Sequence, residues 1–195
     1  MMRIAILIDG GHLRVLARSA AHEYTPDYIE KIGLACPEKD ETLIRILYYD
    51  CAPYTGSATL PVSGKKQEFK GSDAWLKDLA KRDLFAVRRG ELKFRGYKPR
   101  SIPVSAKALS DADFKPDFEQ KGVDMRIGLD IATFAQSKAV ERVVLITNDT
   151  DCIPAMKHAR IAGLQVVLIS LPNSNTHSSL LWHSDYERRI GWPLP

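Results

Sequence analysis

The chain has 195 residues, 45% hydrophobic and 27% charged, with a net charge of +4 and a pI near 8.9. That length and composition fit one folded domain and exclude a disordered polymer, while no apolar run approaches the roughly 18 residues needed to span a bilayer. Three scattered cysteines, Cys36, Cys51 and Cys152, form neither C-x-x-C nor a Cys/His ligand spacing, which argues against zinc and suits a reducing cytoplasm.

Arg3–Ile8 reads as a buried strand that runs into Asp9-Gly10-Gly11. The run is too short for a signal peptide and stops at a charge. The two glycines permit a tight turn or a close approach, and His12–Ala21 then reads as helix. Asp9 is either a ligand at a strand's carboxyl end or a turn or cap aspartate. Thr25–Cys36 is a second helical stretch with Pro26 at its start. Leu43–Tyr49 is a strand ending at Asp50. Ala52–Gly64, rich in Pro, Gly, Ser and Thr, reads as a loop, and Phe69–Lys81 as a helix with Trp75, Leu76 and Leu79 inward.

Leu84–Tyr97 reads as strand, turn, strand around Arg89-Gly90-Glu91. Lys81–Arg100 carries eight basic residues against two acidic ones, with Phe85, Phe94 and Tyr97 interleaved. Basic side chains with aromatics between them suit a phosphate backbone and stacked bases, so Arg88, Arg89, Lys93 and Arg95 are candidate RNA contacts. The alternative is a solvated sheet edge guarded by charge. Ser101–Gln120 has acidic residues, two prolines and little periodicity, and reads as a loop.

Lys121–Ala139 has helical periodicity. At about 100° per residue, Asp124 falls in line with Gly128, Ile131 and Ala135, on the face expected to pack on the sheet. A carboxylate there is costly unless it is paired or binds a cation. Asp130 lies roughly 120° away, at the edge of the apolar face, and is expected to support the ligands or to serve the structure rather than join them. Lys121 reaches the carboxylates or a phosphate, or is simply solvated. Val143–Ile146 is a short, wholly apolar strand followed at once by Thr147-Asn148-Asp149-Thr150 and by Asp151, which can cap a helix running to about Ala162. Pro154 is tolerable in that helix only in the first turn. Gln165–Ile169 is another buried strand, Leu171–Ser179 a loop, Ser179–His183 a short helix, and Tyr186–Pro195 an edge strand and tail.

Strands alternating with helices argue for a parallel sheet with right-handed crossovers and helices on both faces. Ligands of such sheets bind beyond the carboxyl ends of the strands, where Asp9, Asp124, Asp149 and Asp151 can meet. Clustered carboxylates repel unless a hard divalent cation, Mg²⁺ or Mn²⁺, offsets their charge. No Ser-His-Asp or Cys-His arrangement competes.

LIDGGHL at Leu7–Leu13, KGVDMRIGLDIA at Lys121–Ala132 and ITNDTDCIPAMKHARIAGLQVVLI at Ile146–Ile169 resemble the NYN domains of the PIN-like nucleases, in the LabA-like branch. The resemblance implies a PIN-like three-layer α/β/α sandwich with a mainly parallel central sheet. It implies one NYN domain over residues 1–195, with a basic insertion at about 52–120. It also implies a metal-dependent endoribonuclease acting on single-stranded RNA, with Asp9, Asp124, Asp149 and Asp151 as catalytic metal ligands. Asp130, Asn148 and Lys121 would then be supporting residues. Two departures stand out: His12 occupies a position where the family often has Asn, and its Ser-Gly/Asn-Asp turn appears as Thr147-Asn148-Asp149. The rival is a non-catalytic RNA- or protein-binding module on a degenerate PIN-like fold. A haloacid-dehalogenase-type phosphatase fits poorly, since it wants D-x-D after the first strand and Asp9 is followed by two glycines. Homodimer formation is left open.

Overall fold

The computed structural model describes residues 1–104 and 108–193. Expectations that fall on 105–107 and on the last two residues of the tail lie outside the described residues.

The apolar run after Met1 forms β1 (Met2–Asp9), which leads directly into α1 (Gly10–Ser19). α2 (Pro26–Leu34) starts with Pro26 in its first turn and is capped by Thr25, whose hydroxyl accepts from the Tyr28 N–H. β2 (Glu41–Cys51) returns beside β1. A short antiparallel hairpin, β3 (Thr55–Thr59) and β4 (Lys66–Lys70), precedes α3 (Ala74–Leu79). β5 (Phe85–Pro99) and β6 (Phe114–Lys121) then lead to α4 (Val123–Ser137) and β7 (Arg142–Ile146). The chain ends with α5 (Ile153–Ile161), β8 (Gln165–Ser170), α6 (Ser178–Trp182) and β9 (Tyr186–Arg189).

Seven strands form one sheet in the order β6-β5-β2-β1-β7-β8-β9. All neighbours are parallel except the β5–β6 pair. Alternation along each central strand divides the core in two. Ile4, Ile6 and Ile8 of β1 face α1, α2 and α3 through Leu13, Ile29, Ile32 and Leu76. Ala5 and Leu7 face the opposite layer, where Val123, Ile127 and Ile131 of α4 and Met156 and Ala159 of α5 cover the sheet. Because both faces are covered, β1 and β7 contain uninterrupted buried runs, as parallel strands should. The fold is the expected α/β/α sandwich with a mostly parallel sheet.

The chain builds the sheet outward from β1 through β2 to β5, then returns to β7 on the other side of β1. The crevice outside the carboxyl ends of β1 and β7 is therefore a topological switch point, where ligands of open α/β sheets bind.

The insertion departs from the sequence reading. Arg89-Gly90-Glu91 is no turn: β5 runs unbroken through it, pairing parallel with β2 up to Gly90 and antiparallel with β6 from Glu91. Gly90 serves close packing instead. A Cβ there would lie 2.8 Å from Cys51 Sγ and from the Lys121 carbonyl. The stretch read as a loop to Gln120 ends in β6, and the one read as a loop to Gly64 contains β3. Helix is confined to α3 within the 69–81 stretch, because Lys66–Lys70 pairs as β4. What holds the insertion is an aromatic cluster rather than the main core. Tyr54, Phe69, Phe94 and Phe118 lie with ring centroids 5.6–5.8 Å apart. Tyr97 closes it with a 2.7 Å hydrogen bond to Gln67.

A charged network ties the sheet to the segment before β2. Arg142, Arg188 and the Glu38 backbone N–H all donate to the fully buried Glu41 carboxylate. Burial alone would raise that carboxyl; these hydrogen bonds outweigh it and hold it down at about 2.

Candidate active site

Asp9 ends β1, and its side chain turns back to cap α1. Oδ1 accepts from the His12 N–H at 3.1 Å. The helix dipole favours a carboxylate there. The chain passes so tightly that a Cβ on Gly10 would meet the Tyr48 hydroxyl at 2.3 Å and the Tyr49 carbonyl at 2.8 Å. Glycine is therefore required at that position for β1 to turn into α1 against β2.

Far along the chain but next to β1 in the sheet, β7 ends at Ile146 and is followed by Thr147. This buried hydroxyl donates to Asp9 Oδ2 at 3.3 Å and accepts from the Asp149 N–H at 3.1 Å. It thus fixes the two strand-end aspartates to each other. The sequence reading gave Thr147 no role; its place between strand end and aspartate was the available signal.

Asp149, not Asp151, is the cap of the next helical segment. Its Oδ1 accepts from the Asp151 N–H at 2.9 Å, starting a 3₁₀ turn over Thr150–Cys152 that continues into α5 with Pro154 in the first turn. That turn carries Asp151 to the exposed rim.

Asp124 enters from the first turn of α4. The buried stripe of that helix is Val123, Ile127, Ile131 and Ala135, so Asp124 lies beside it, and Gly128 lies where Ala155 of α5 comes closest. One carboxylate oxygen from each of Asp124, Asp149 and Asp151 lies within 4.8 Å of the others. Desolvation raises the Asp124 carboxyl above its ordinary range, and the charges of Asp149, Asp9 and Asp151 push it further. Such a group of hard oxygen donors, mutually repelling and half-buried, fits a divalent cation better than it fits its own isolation. Asp9 lies within electrostatic reach of this triad and lines a cleft of about 520 Å³ with Gly11, His12, Gln120, Asn148, Asp149 and His177. Burial lowers the His12 imidazole below its usual range, against the pull of Asp9.

Of the residues expected to support the ligands, Asn148 tethers the segment after β8. It donates to the Asn175 carbonyl at 3.2 Å and accepts from the His177 N–H at 2.7 Å. Asp130 is held away from the triad. It accepts from the Tyr49 hydroxyl at 2.8 Å and from Arg88 Nε at 2.9 Å, so it joins α4 to the sheet. Lys121 sits exposed at the end of β6, 3.5 Å from Glu119.

The four basic candidates on β5 all face acidic partners. Arg88 pairs with Asp130, and Arg89 with Asp73 at 3.0 Å. Lys93 lies 3.9 Å from Glu91 and Arg95 3.5 Å from Glu119. Lys93 and Arg95 share one exposed face of the strand, while Phe94 turns into the aromatic cluster.

A larger cleft, about 570 Å³, lies at the amino ends of the strands around Arg160, Gln165 and Asp185. Its lining includes Lys157 and an Arg160–Asp185 ion pair at 2.9 Å.

A family model described as NYN domain matches residues 3–188. No curated protein matches the chain. A crystal structure of a protein of unknown function, VPA0982, from Vibrio parahaemolyticus RIMD 2210633 superimposes with a TM-score of 0.52 at 16% identity, covering 97% of this chain and 93% of that one. At that identity the likeness speaks for the fold alone.

Proposed function

This chain belongs to the NYN domain family, within the PIN-like nuclease superfamily, and from that membership we propose that it is a divalent-metal-dependent endoribonuclease acting on single-stranded RNA. The observation that carries the reading is the convergence of Asp124, Asp149 and Asp151 within 4.8 Å beside Asp9, at the switch point of the sheet.

Each aspartate has a distinct part. Asp9 and Asp149 are locked by backbone N–H groups and by Thr147. Their oxygens are therefore preorganised at no further entropic cost when a cation enters. Asp124 supplies the third carboxylate; the repulsion that raises it in the free protein is relieved when a cation enters. Asp151, on the rim, orients the attacking water. Mg²⁺ or Mn²⁺ held by these carboxylates would polarise the phosphodiester and lower the pKa of that water. Lys93 and Arg95, whose surface ion pairs are worth little, are free to turn toward the RNA backbone.

The test is Asp149→Asn. Asparagine caps a helix as well as aspartate does, so the variant keeps its circular dichroism while losing one ligand charge. Mn²⁺-dependent cleavage of single-stranded RNA should fall by more than the roughly 10–100-fold typical of outer residues. A variant that cuts RNA as fast as the wild type refutes the assignment. A wild-type protein that binds RNA and leaves it intact with Mn²⁺ is instead the non-catalytic module.

A further inference from the structure

Next to the carboxylates, under the carboxyl end of β2, lies a cleft of opposite character. Asp50 is the last residue but one of β2, the parallel strand beside the β1 that Asp9 ends. It is only 1% exposed, and it is spoken for. The Arg14 guanidinium pairs with it. The Tyr48 hydroxyl donates to it at 2.9 Å, the Cys51 N–H at 2.7 Å and Gln120 Nε2 at 3.4 Å. Asp50 is therefore not a fifth metal ligand. It is an anchor that fixes Arg14 in one position.

Arg14 is held against two aromatic rings. Its guanidinium carbon lies 5.7 Å from the Tyr24 ring centre and 5.8 Å from that of Trp75. Tyr24 is itself pinned, its hydroxyl lying 3.2 Å from the Gly10 carbonyl and 2.7 Å from the Tyr48 hydroxyl. Trp75 meets Tyr24 and Tyr48 edge-on, with centroids 6.4 and 6.0 Å away. Arg14, Tyr24 and Trp75 line a cleft of about 370 Å³ together with Arg18, Leu92 and Gln120. Arg18 is exposed and makes no side-chain ion pair or hydrogen bond among the described residues. Gln120 also lines the cleft of the carboxylates, so the two spaces are neighbours.

We propose that this cleft is a nucleotide subsite, which seats the base next to the scissile phosphodiester against Trp75 and Arg14 and a flanking phosphate on Arg18. The inference rests on the ribonuclease reading of the adjoining carboxylates. An acidic site repels the strand it must cut, so the strand needs cationic and stacking contacts beside it. Bases stack on aromatic side chains and on guanidinium planes, and Trp75, Tyr24 and Arg14 present both. Burying a carboxylate to hold an arginine is expensive in stability terms, yet it yields a cation locked in place before substrate arrives. With Arg14 neutralised by Asp50, Arg18 is the net charge left for phosphate. The stacking surface also requires an unpaired base, which selects single strands over duplex.

The experiment uses a fluorescein-labelled RNA tetranucleotide, bound in EDTA so that no cleavage occurs and read by fluorescence anisotropy. Arg14 is avoided because its loss would leave Asp50 buried and unpaired. Trp75→Leu removes the stacking surface while keeping apolar bulk, and should weaken binding about tenfold or more. Arg18→Gln, on the surface, should weaken it severalfold and flatten the salt dependence by roughly 0.7 in slope. With Mn²⁺, both variants should raise KM more than they lower kcat. If wild type cuts RNA, Asp149→Asn does not, and both cleft variants bind the tetranucleotide like wild type, the subsite is refuted while the nuclease reading stands. If RNA is never cut but both variants lose binding, the cleft holds nucleotides and the nuclease reading fails. No binding of the tetranucleotide by folded wild-type protein also refutes the subsite.

Discussion

Neutralising Asp124 should stabilise the metal-free protein and destroy its response to metal. The arithmetic is short. Asp124 has oxygens within 4.8 Å of both Asp149 and Asp151. At that separation two unit charges in a water-like dielectric repel by about 0.9 kcal/mol, and a water-like value suits a half-open site whose outermost member is exposed. Asp124→Asn removes two such repulsions, about 1.7 kcal/mol. Against this stands the favourable position of a carboxylate in the first turn of α4, about 0.5 kcal/mol. The net gain is about 1 kcal/mol, a rise in Tm of roughly 2–4 °C for a chain of this size. Adding Mn²⁺ reverses the order. Wild type gains RT ln(1 + [M]/Kd), about 2.7 kcal/mol at a hundredfold excess over Kd, while the variant gains much less. Differential scanning fluorimetry in EDTA and in a Mn²⁺ series reads both effects. Equal Tm values in EDTA together with equal shifts in Mn²⁺ would refute the reasoning, since the triad would then be neither strained when empty nor a metal site.

Three further outcomes follow from the fold. Glu41 binds its proton less tightly folded than unfolded, so its contribution is complete above about pH 4.5 and is lost as pH falls toward 2. Glu41→Gln should flatten that acid limb, worth as much as about 3 kcal/mol, and at pH 7 should destabilise by about 3–5 kcal/mol because Arg142 is left buried without a carboxylate; urea titrations at pH 7 and pH 3.5 measure both. Phe94→Ala should cost about 2–3 kcal/mol, below the figure for a fully buried phenylalanine, and limited proteolysis should then open the β3–β4 hairpin first. Lys93→Ala with Arg95→Ala should leave stability nearly unchanged and flatten the slope of log K for RNA against log salt by roughly 1.4; an unchanged slope means the strand face is merely a charged edge.

The central sheet was legible because its signals are local. Uninterrupted apolar runs at Ile4–Ile8 and Val143–Ile146 can hardly be other than strands covered on both faces, and a strand–helix alternation leaves few topologies. The insertion was misread for the opposite reason. Gly90 flanked by Arg89 and Glu91 carries every local mark of a turn, yet the chain runs straight through. Two tertiary facts override the local one: β2 offers a parallel edge up to Gly90, and β6 offers an antiparallel edge beyond it. A glycine demanded by the nearness of Cys51 and Lys121 looks, in sequence, the same as a glycine demanded by a turn.

The same distinction governs the candidate site. Asp9 and Asp149 could be placed because a carboxylate ending a parallel strand has an address fixed by the sheet. By that argument Asp50, read in the sequence as closing the strand that lies beside β1, was an equal candidate, and sequence position could not separate them. What separates them is the surroundings. Asp50 meets Arg14, Tyr48 and Gln120, which come from three different elements, and is neutralised. Asp149 meets the carboxylates of Asp124 and Asp151 and is not. For Asp130 the sequence left a supporting and a structural part open, and only the fold, which brings Tyr49 and Arg88 to it, shows the structural one. A carboxylate near a strand end is left to gather with others or becomes an anchor for a cation according to which charge the neighbouring elements carry to it, and here the ends of β2 and β7, on either side of β1, present the two arrangements.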